Sequence, residues 1–183
     1  MRKIVNATYL TLDGDMSNMA DWHFDYFGEE AMKAATDQLA ATDALIMGRK
    51  TYDGFSEAWS SRAGADDFAD RMNSIKKYVV SSTLTDPTWN NTTVINGDVA
   101  AKVRELKEQE GANILQYGYG SVSRLLVENG LLDELRVWLH PVISGKATQE
   151  ELFYRDSPQT KFELAGTDVH STGLIILSYT PKN

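Results

Sequence analysis

No cysteine occurs among the 183 residues. That excludes disulfides, thiolate metal sites and a cysteine nucleophile, and it fits a reducing compartment. No apolar run comes near the ~20 residues a membrane-spanning helix needs. The segment MRKIVNATYLTLDG (1–14) carries two cations, but polar Asn6 and Thr8 interrupt its apolar residues, so it lacks the apolar core of a signal peptide. A cytoplasmic protein, not held at a membrane, is expected. An excess of positive charge is also missing: 18 Lys and Arg stand against 26 Asp and Glu, a formal net charge of -8. A general nucleic-acid or anionic-membrane surface is disfavoured accordingly. Repeats and low-complexity segments are absent too. What is present, 42% apolar and 24% charged residues, is ordinary for a globular chain with one sizeable core. Residues 1–183 are expected to form a single domain.

Short β-type runs alternate with helical patterns. KIVNATYL (3–10), the wholly apolar ALIM (44–47), KKYVVSS (76–82), NTTVING (91–97) and NILQYG (113–118) read as strands. GEEAMKAATDQLAATD (28–43) reads as a helix with Met32, Ala35 and Leu39 on one side. TYDGFSEAW (51–59) reads as a second. DVAAKVRELKEQEG (98–111) is the clearest, with Asp98 as N-cap, Val99, Val103 and Leu106 as its stripe, and Gly111 just past its end. SVSRLLVENG (121–130) is a further helix that Gly130 ends. The tail then changes to DELRVWLHPVI (133–143), KFELAG (161–166) and GLIILSYT (173–180), two or three antiparallel strands with little room for a helix between them. The expected class is α/β: three layers around a mostly parallel mixed sheet with antiparallel C-terminal strands.

In such sheets ligands bind beyond the carboxyl ends of the strands. ALIMGRKTYDGF (44–55) has a strand ending at Gly48, then Arg49, Lys50 and Thr51 where a helix begins. A helix N-terminus with free N–H groups, a guanidinium fork, an ammonium and a hydroxyl together suit phosphate. The competing reading makes Arg49 and Lys50 solvated surface cations. The nucleotide-triphosphate loop does not fit, because Arg49 separates Gly48 from Lys50. Gly118-Tyr119-Gly120-Ser121-Val122-Ser123 approaches the dinucleotide fingerprint but lacks its last glycine. It is nonetheless a second strand–glycine–helix junction. Ser81 and Ser82 end VVSSTL (79–84); they can donate to a ligand oxygen or simply open a turn before Pro87.

The order and spacing of these elements resemble the dihydrofolate reductase fold, in particular the family that joins it to the reductase domain of bacterial riboflavin biosynthesis. TLDG (11–14), LIMGRKTY (45–52), VVSSTL, QYGYGSVSRLLVENGLLDEL (116–135) and LHPVISGK (139–146) carry the resemblance over nearly the whole chain. It implies NADPH binding and hydride transfer. Arg49 and Ser82, with Ser81 beside it, would hold the 2′-phosphate. Lys50 and Thr51, after Gly48, would face the pyrophosphate. Gly118, Gly120, Ser121 and Val122 would pass beneath pyrophosphate and nicotinamide. Tyr119 departs from the paired glycines of dihydrofolate reductases. A homodimer is also implied, with the C-terminal strands as candidate interface.

The substrate side rests on DGDMSNMADWHFDYF (13–27), where the resembled family has its active-site loop. Trp22, Phe24, Tyr26 and Phe27 can stack on a flat heterocycle or serve as core. Asp25 lies near the place of the dihydrofolate reductase proton donor, or is a cap or surface acid. Asp13 lines the pocket or caps a turn. The loop has no Arg or Lys, which argues against a ribose-phosphate substrate, although Arg155 offers a cation from elsewhere. A small pterin- or pyrimidine-like substrate is expected. The three histidines, His23, His140 and His170, show no ligand spacing, no metal is expected, and no G-x-S-x-G elbow occurs. The rival expectation is a nucleotide-binding or interaction protein without turnover.

Overall fold

The computed structural model describes residues 1–153 and 159–182. Its centre is an eight-stranded sheet in the order β4-β3-β2-β5-β1-β6-β8-β7. The strands are β1 (Ile4–Thr11), β2 (Thr42–Gly48), β3 (Lys76–Val80), β4 (Thr92–Ile95), β5 (Asn113–Tyr117), β6 (Glu134–His140), β7 (Phe162–Val169) and β8 (Ile175–Pro181). The first six run parallel. β8 pairs antiparallel with β6, and β7 antiparallel with β8.

Alternation along the buried strands sends successive side chains to opposite faces. Val5, Leu45, Met47, Val79 and Leu115 meet α1 (Glu29–Ala40), α2 (Arg49–Ser60) and α3 (Asp67–Ser74) through Leu39, Tyr52 and Met72. Ile4, Ala44, Ile46, Tyr78 and Ile114 meet α4 (Val99–Glu108) and α5 (Ser121–Glu128) through Val103, Leu106, Val122 and Leu126. The class is therefore the three-layer α/β arrangement expected, with the antiparallel strands at one edge.

Several local expectations are corrected. Met32 is exposed, and Ala31, Ala35 and Leu39 make the buried face of α1. That helix stops at Ala40, because buried, β-branched Thr42 already belongs to β2. α4 ends at Glu108 with Gln109 as C-cap, so Gly111 lies beyond it in the approach to β5. β3 ends at Val80: the Ser81 hydroxyl accepts from the amides of Thr83 and Leu84 at 3.2 and 3.1 Å and turns the chain away. α3 lies in a stretch where no element was expected, capped by the Asp66 carboxylate on the Ala69 amide at 2.7 Å.

Candidate functional site

Gly48, Val80, Ile95 and Tyr117 end four neighbouring parallel strands at the same edge, and a cavity of about 970 Å³ opens beyond them. The ten residues expected at the cofactor, Gly48, Arg49, Lys50, Thr51, Ser81, Ser82, Gly118, Gly120, Ser121 and Val122, all line it. They come from three separated stretches, and the parallel order β3-β2-β5 brings them together.

The helices around this cavity begin in a particular way. α4 is capped by Asp98, whose carboxylate accepts from the Ala101 amide at 3.0 Å, as α3 is by Asp66. α2 and α5 instead start at Gly48 and Gly120, with no side-chain acceptor at the N-cap. Their first-turn amides are left for an anion, and the positive helix ends favour one. Arg49 adds a guanidinium whose Nε donates to both oxygens of Asp53, at 2.8 and 2.9 Å, while the side chain stays 44% exposed. Lys50 is exposed and close enough to Glu151 to favour that carboxylate's ionised form; the larger effect on Glu151 comes from hydrogen bonds to the backbone and hydroxyl of Thr148. At Gly120 an added Cβ would meet nothing within 4 Å. The donor set and the open glycine floor fit a dinucleotide with several negative charges.

The other wall was not foreseen. Asp15 bridges to Leu152, the Met16 amide donates to the Glu151 carbonyl at 3.1 Å, and the Phe153 amide donates to the Gly14 carbonyl at 2.9 Å. This strap brings Met16, Ser17, Asn18, Glu150 and Glu151 to the cavity, as the strand ends bring Asn96, Gly97, Gln116 and Tyr117. Nothing in the local sequence pairs residues 14–16 with 151–153. The ring of Tyr119 packs on Phe153, centroids 4.7 Å apart, so its bulk joins the glycine turn to the strap.

The residues expected at the substrate sit elsewhere. Asp13 accepts from the Thr11 hydroxyl and from the amides of Gly145 and Ser144 at 2.9 and 3.1 Å; these bonds, Thr11 first, hold its carboxyl down at about 2. It ties the first loop to residues 144–145 and is not among the cavity residues. Trp22 is buried and donates from Nε1 to the Ser17 carbonyl at 3.0 Å. Asp25 is exposed on the turn Phe24–Tyr26, outside the cavity. Tyr26 and Phe27 pack against the core and Phe24 is exposed. Arg155 lies outside the described residues. Tyr117, which lines the cavity, has the rings of Tyr9 and Phe55 behind it, centroids 6.4 and 5.3 Å away.

His23 and His140, 117 positions apart in sequence, meet at 3.0 Å, Nδ1 to Nε2. Nδ1 of His140 faces the carbonyls of Trp138 and Leu10 at 3.0 and 3.3 Å and must donate. Its Nε2 therefore accepts, and His23 donates. Burial, and then the neighbouring His140, lower His23 to about 4. No group of three or more metal-ligating side chains occurs among the described residues.

The family model described as the RibD C-terminal domain matches residues 2–176. The chain belongs to this family. Among curated proteins, the uncharacterized protein YyaP of Bacillus subtilis (strain 168) is 27% identical over 97% of this chain and 94% of its own. Among solved structures, a Shewanella sp. PV-4 protein whose description connects it with riboflavin biosynthesis superposes with a TM-score of 0.76 at 19% identity, covering 99% of both chains. Dihydrofolate reductase from Enterococcus faecalis, in complex with NADP(H) and RAB-propyl, superposes with a TM-score of 0.63 at 16% identity, covering 99% of this chain and 97% of that one. The RibD C-terminal fold of this chain is thus dihydrofolate reductase-like. No helix among the described residues is long and apolar enough to cross a membrane.

Proposed function

We propose that the protein is an NADPH-dependent reductase that transfers hydride to a small, unphosphorylated heteroaromatic substrate of the pterin or pyrimidine kind. The observation that carries this reading is the convergence of two uncapped helix N-termini, Arg49 and Lys50 on one cavity of a RibD C-terminal domain. The Enterococcus faecalis enzyme of similar fold is complexed with NADP(H), which supports the choice of dinucleotide. Arg49, Ser81 and Ser82 would bind the 2′-phosphate. Lys50, Thr51 and the first turns of α2 and α5 would bind the pyrophosphate, with Gly118 and Gly120 as floor. The dinucleotide, when bound, supplies the hydride. The protein would orient the ring beside Tyr117 and exclude water. Met16, Ser17 and Asn18, the part of residues 13–27 that reaches the cavity, include no cation, which supports an unphosphorylated substrate.

Residues 1–183 are read as one domain of a cytoplasmic homodimer, supported by one continuous sheet and by Leu164 and Val169 exposed on the edge strand β7. A second reading, a nucleotide-binding protein without turnover, draws on one observation: Asp13, Trp22 and Asp25 all lie outside the cavity lining. Calorimetry with NADPH, followed by NADPH oxidation against pterins, dihydrofolate and pyrimidine intermediates, separates the two. Binding with turnover of an unphosphorylated ring supports the reductase. Binding without turnover of any ring supports the second reading, and faster turnover of the phosphorylated riboflavin precursor refutes the substrate assignment.

A further inference from the structure

Below the glycine turn lies a polar cluster in an otherwise apolar core. Asn6, Thr8, Gln116 and Ser123 are each at most 3% exposed. Buried polar groups at this depth cost stability unless all are paired, and a paired set has a fixed direction. Here the direction can be traced. The Thr8 hydroxyl donates to Asn6 Oδ1 at 2.6 Å, which fixes the Asn6 amide. Asn6 Nδ2 then donates to Gln116 Oε1 at 3.0 Å and to the Gly118 carbonyl at 2.7 Å. With Gln116 Oε1 accepting, its Nε2 donates to Ser123 Oγ at 2.8 Å. Ser123 Oγ also accepts from the Gly120 amide at 3.2 Å and passes its own hydrogen to the Gly118 carbonyl at 3.2 Å.

Both chains of donors thus end on one atom, the carbonyl oxygen of Gly118. That residue has φ +74, a conformation open to glycine, and it is the hinge between β5 and α5. Its neighbours Gly120, Ser121 and Val122 line the cavity. The Gly120 amide is engaged by Ser123, so the network also fixes where α5 begins. None of the four side chains lines the cavity except Gln116.

We propose that Asn6 and Ser123 are positioning residues for dinucleotide binding: they hold the Gly118 carbonyl inward and so set the pose of the glycine turn and the first turn of α5. This rests on the reading of the cavity as a dinucleotide site. The network underlies the turn that would meet what NADPH and NADH share, and it includes none of the proposed 2′-phosphate ligands, Arg49 at the start of α2 and Ser81 and Ser82 after β3. Loosening it weakens both dinucleotides by one factor.

The test uses Ser123→Ala, Ser123→Thr and Asn6→Leu in the full chain. In the free protein, amide exchange at residues 118–123 should speed up selectively in Ser123→Ala and Asn6→Leu. Calorimetry should show the Kd values of NADPH and NADH rising together, by about five- to tenfold in Ser123→Ala, with their ratio unchanged. Ser123→Thr, which keeps the hydroxyl, should restore both. A merely structural role would lower the thermal midpoint while leaving the Kd values of the folded variant at wild-type level, and that result overturns the inference. So does exchange at 118–123 that stays at the wild-type rate in Ser123→Ala. If the wild type binds neither dinucleotide, the reading of the cavity fails, and the positioning role fails with it. If the wild type binds and only the variants behave as wild type, the positioning role alone fails.

Discussion

Arg49 and the two glycines of the turn separate charge, space and conformation. Arg49 keeps its side chain 44% exposed while its Nε holds Asp53, so its remaining donors can reach a phosphate. A charge-assisted pair of this kind contributes about 1.5–3 kcal/mol, roughly 10- to 150-fold in affinity. Arg49→Ala should therefore weaken NADPH by that factor and leave NADH nearly unchanged, and added salt should shrink the wild-type preference. Calorimetry of both cofactors decides it: equal weakening would move Arg49 to the shared pyrophosphate. Gly120 has φ -149, ordinary extended backbone, and an added Cβ meets nothing within 4 Å. Gly120→Val should fold with a cooperative thermal transition and fail to bind NADPH, because its side chain fills the floor. Unchanged NADPH affinity in the folded variant would remove Gly120 from the floor.

At the scale of elements, the helix starts divide into capped and uncapped. Asp66 and Asp98 cap α3 and α4, and a cap of this kind contributes about 1 kcal/mol. α2 forgoes it at Gly48, where an added Cβ would meet only Val122 Cγ2 at 3.5 Å, an ordinary contact. Gly48→Asp can thus supply the missing cap and an acid at the positive helix end. The thermal midpoint should hold or rise, while NADPH affinity falls at least about tenfold as the carboxylate meets phosphate. A variant that neither gains stability nor loses affinity would show that the start of α2 faces no anion.

At the scale of the whole molecule, stability should respond to acid in two separate windows. His23, neutral in its bond to His140, joins the first loop to β6. Its folded value of about 4 lies below the ordinary 6.5, so between these the unfolded chain binds the extra proton. The stability it contributes is complete above about 6.5 and is lost as pH falls toward 4, by at most about 3 kcal/mol. Asp13, held down to about 2 from 3.8, begins to cost stability only below that window. Denaturant unfolding across pH should show a decline between 6.5 and 4 that His23→Gln makes shallower, the remainder coming from His140, which burial also lowers. A decline of equal size in that variant would assign the acid sensitivity to other groups.

The sequence by itself determined the three-layer class, because buried parallel strands need apolar runs such as ALIM and amphipathic helices need stripes such as Val99, Val103 and Leu106. It also carried the two glycine junctions, since a strand that ends in glycine before a helix is written in consecutive residues. Helix limits were less legible: Gly111 and Met32 follow local rules that packing overrode. The tertiary structure alone decided which distant segments share the cavity wall. The strap of residues 14–16 on 151–153, the meeting of His23 with His140, and the convergence of Thr8, Asn6, Gln116 and Ser123 on one carbonyl depend on strand order. Each joins segments far apart in the chain. The physical reason is that local pattern reports which face of an element is buried, whereas the partner on that face is set by the register of strands that only the closed sheet fixes.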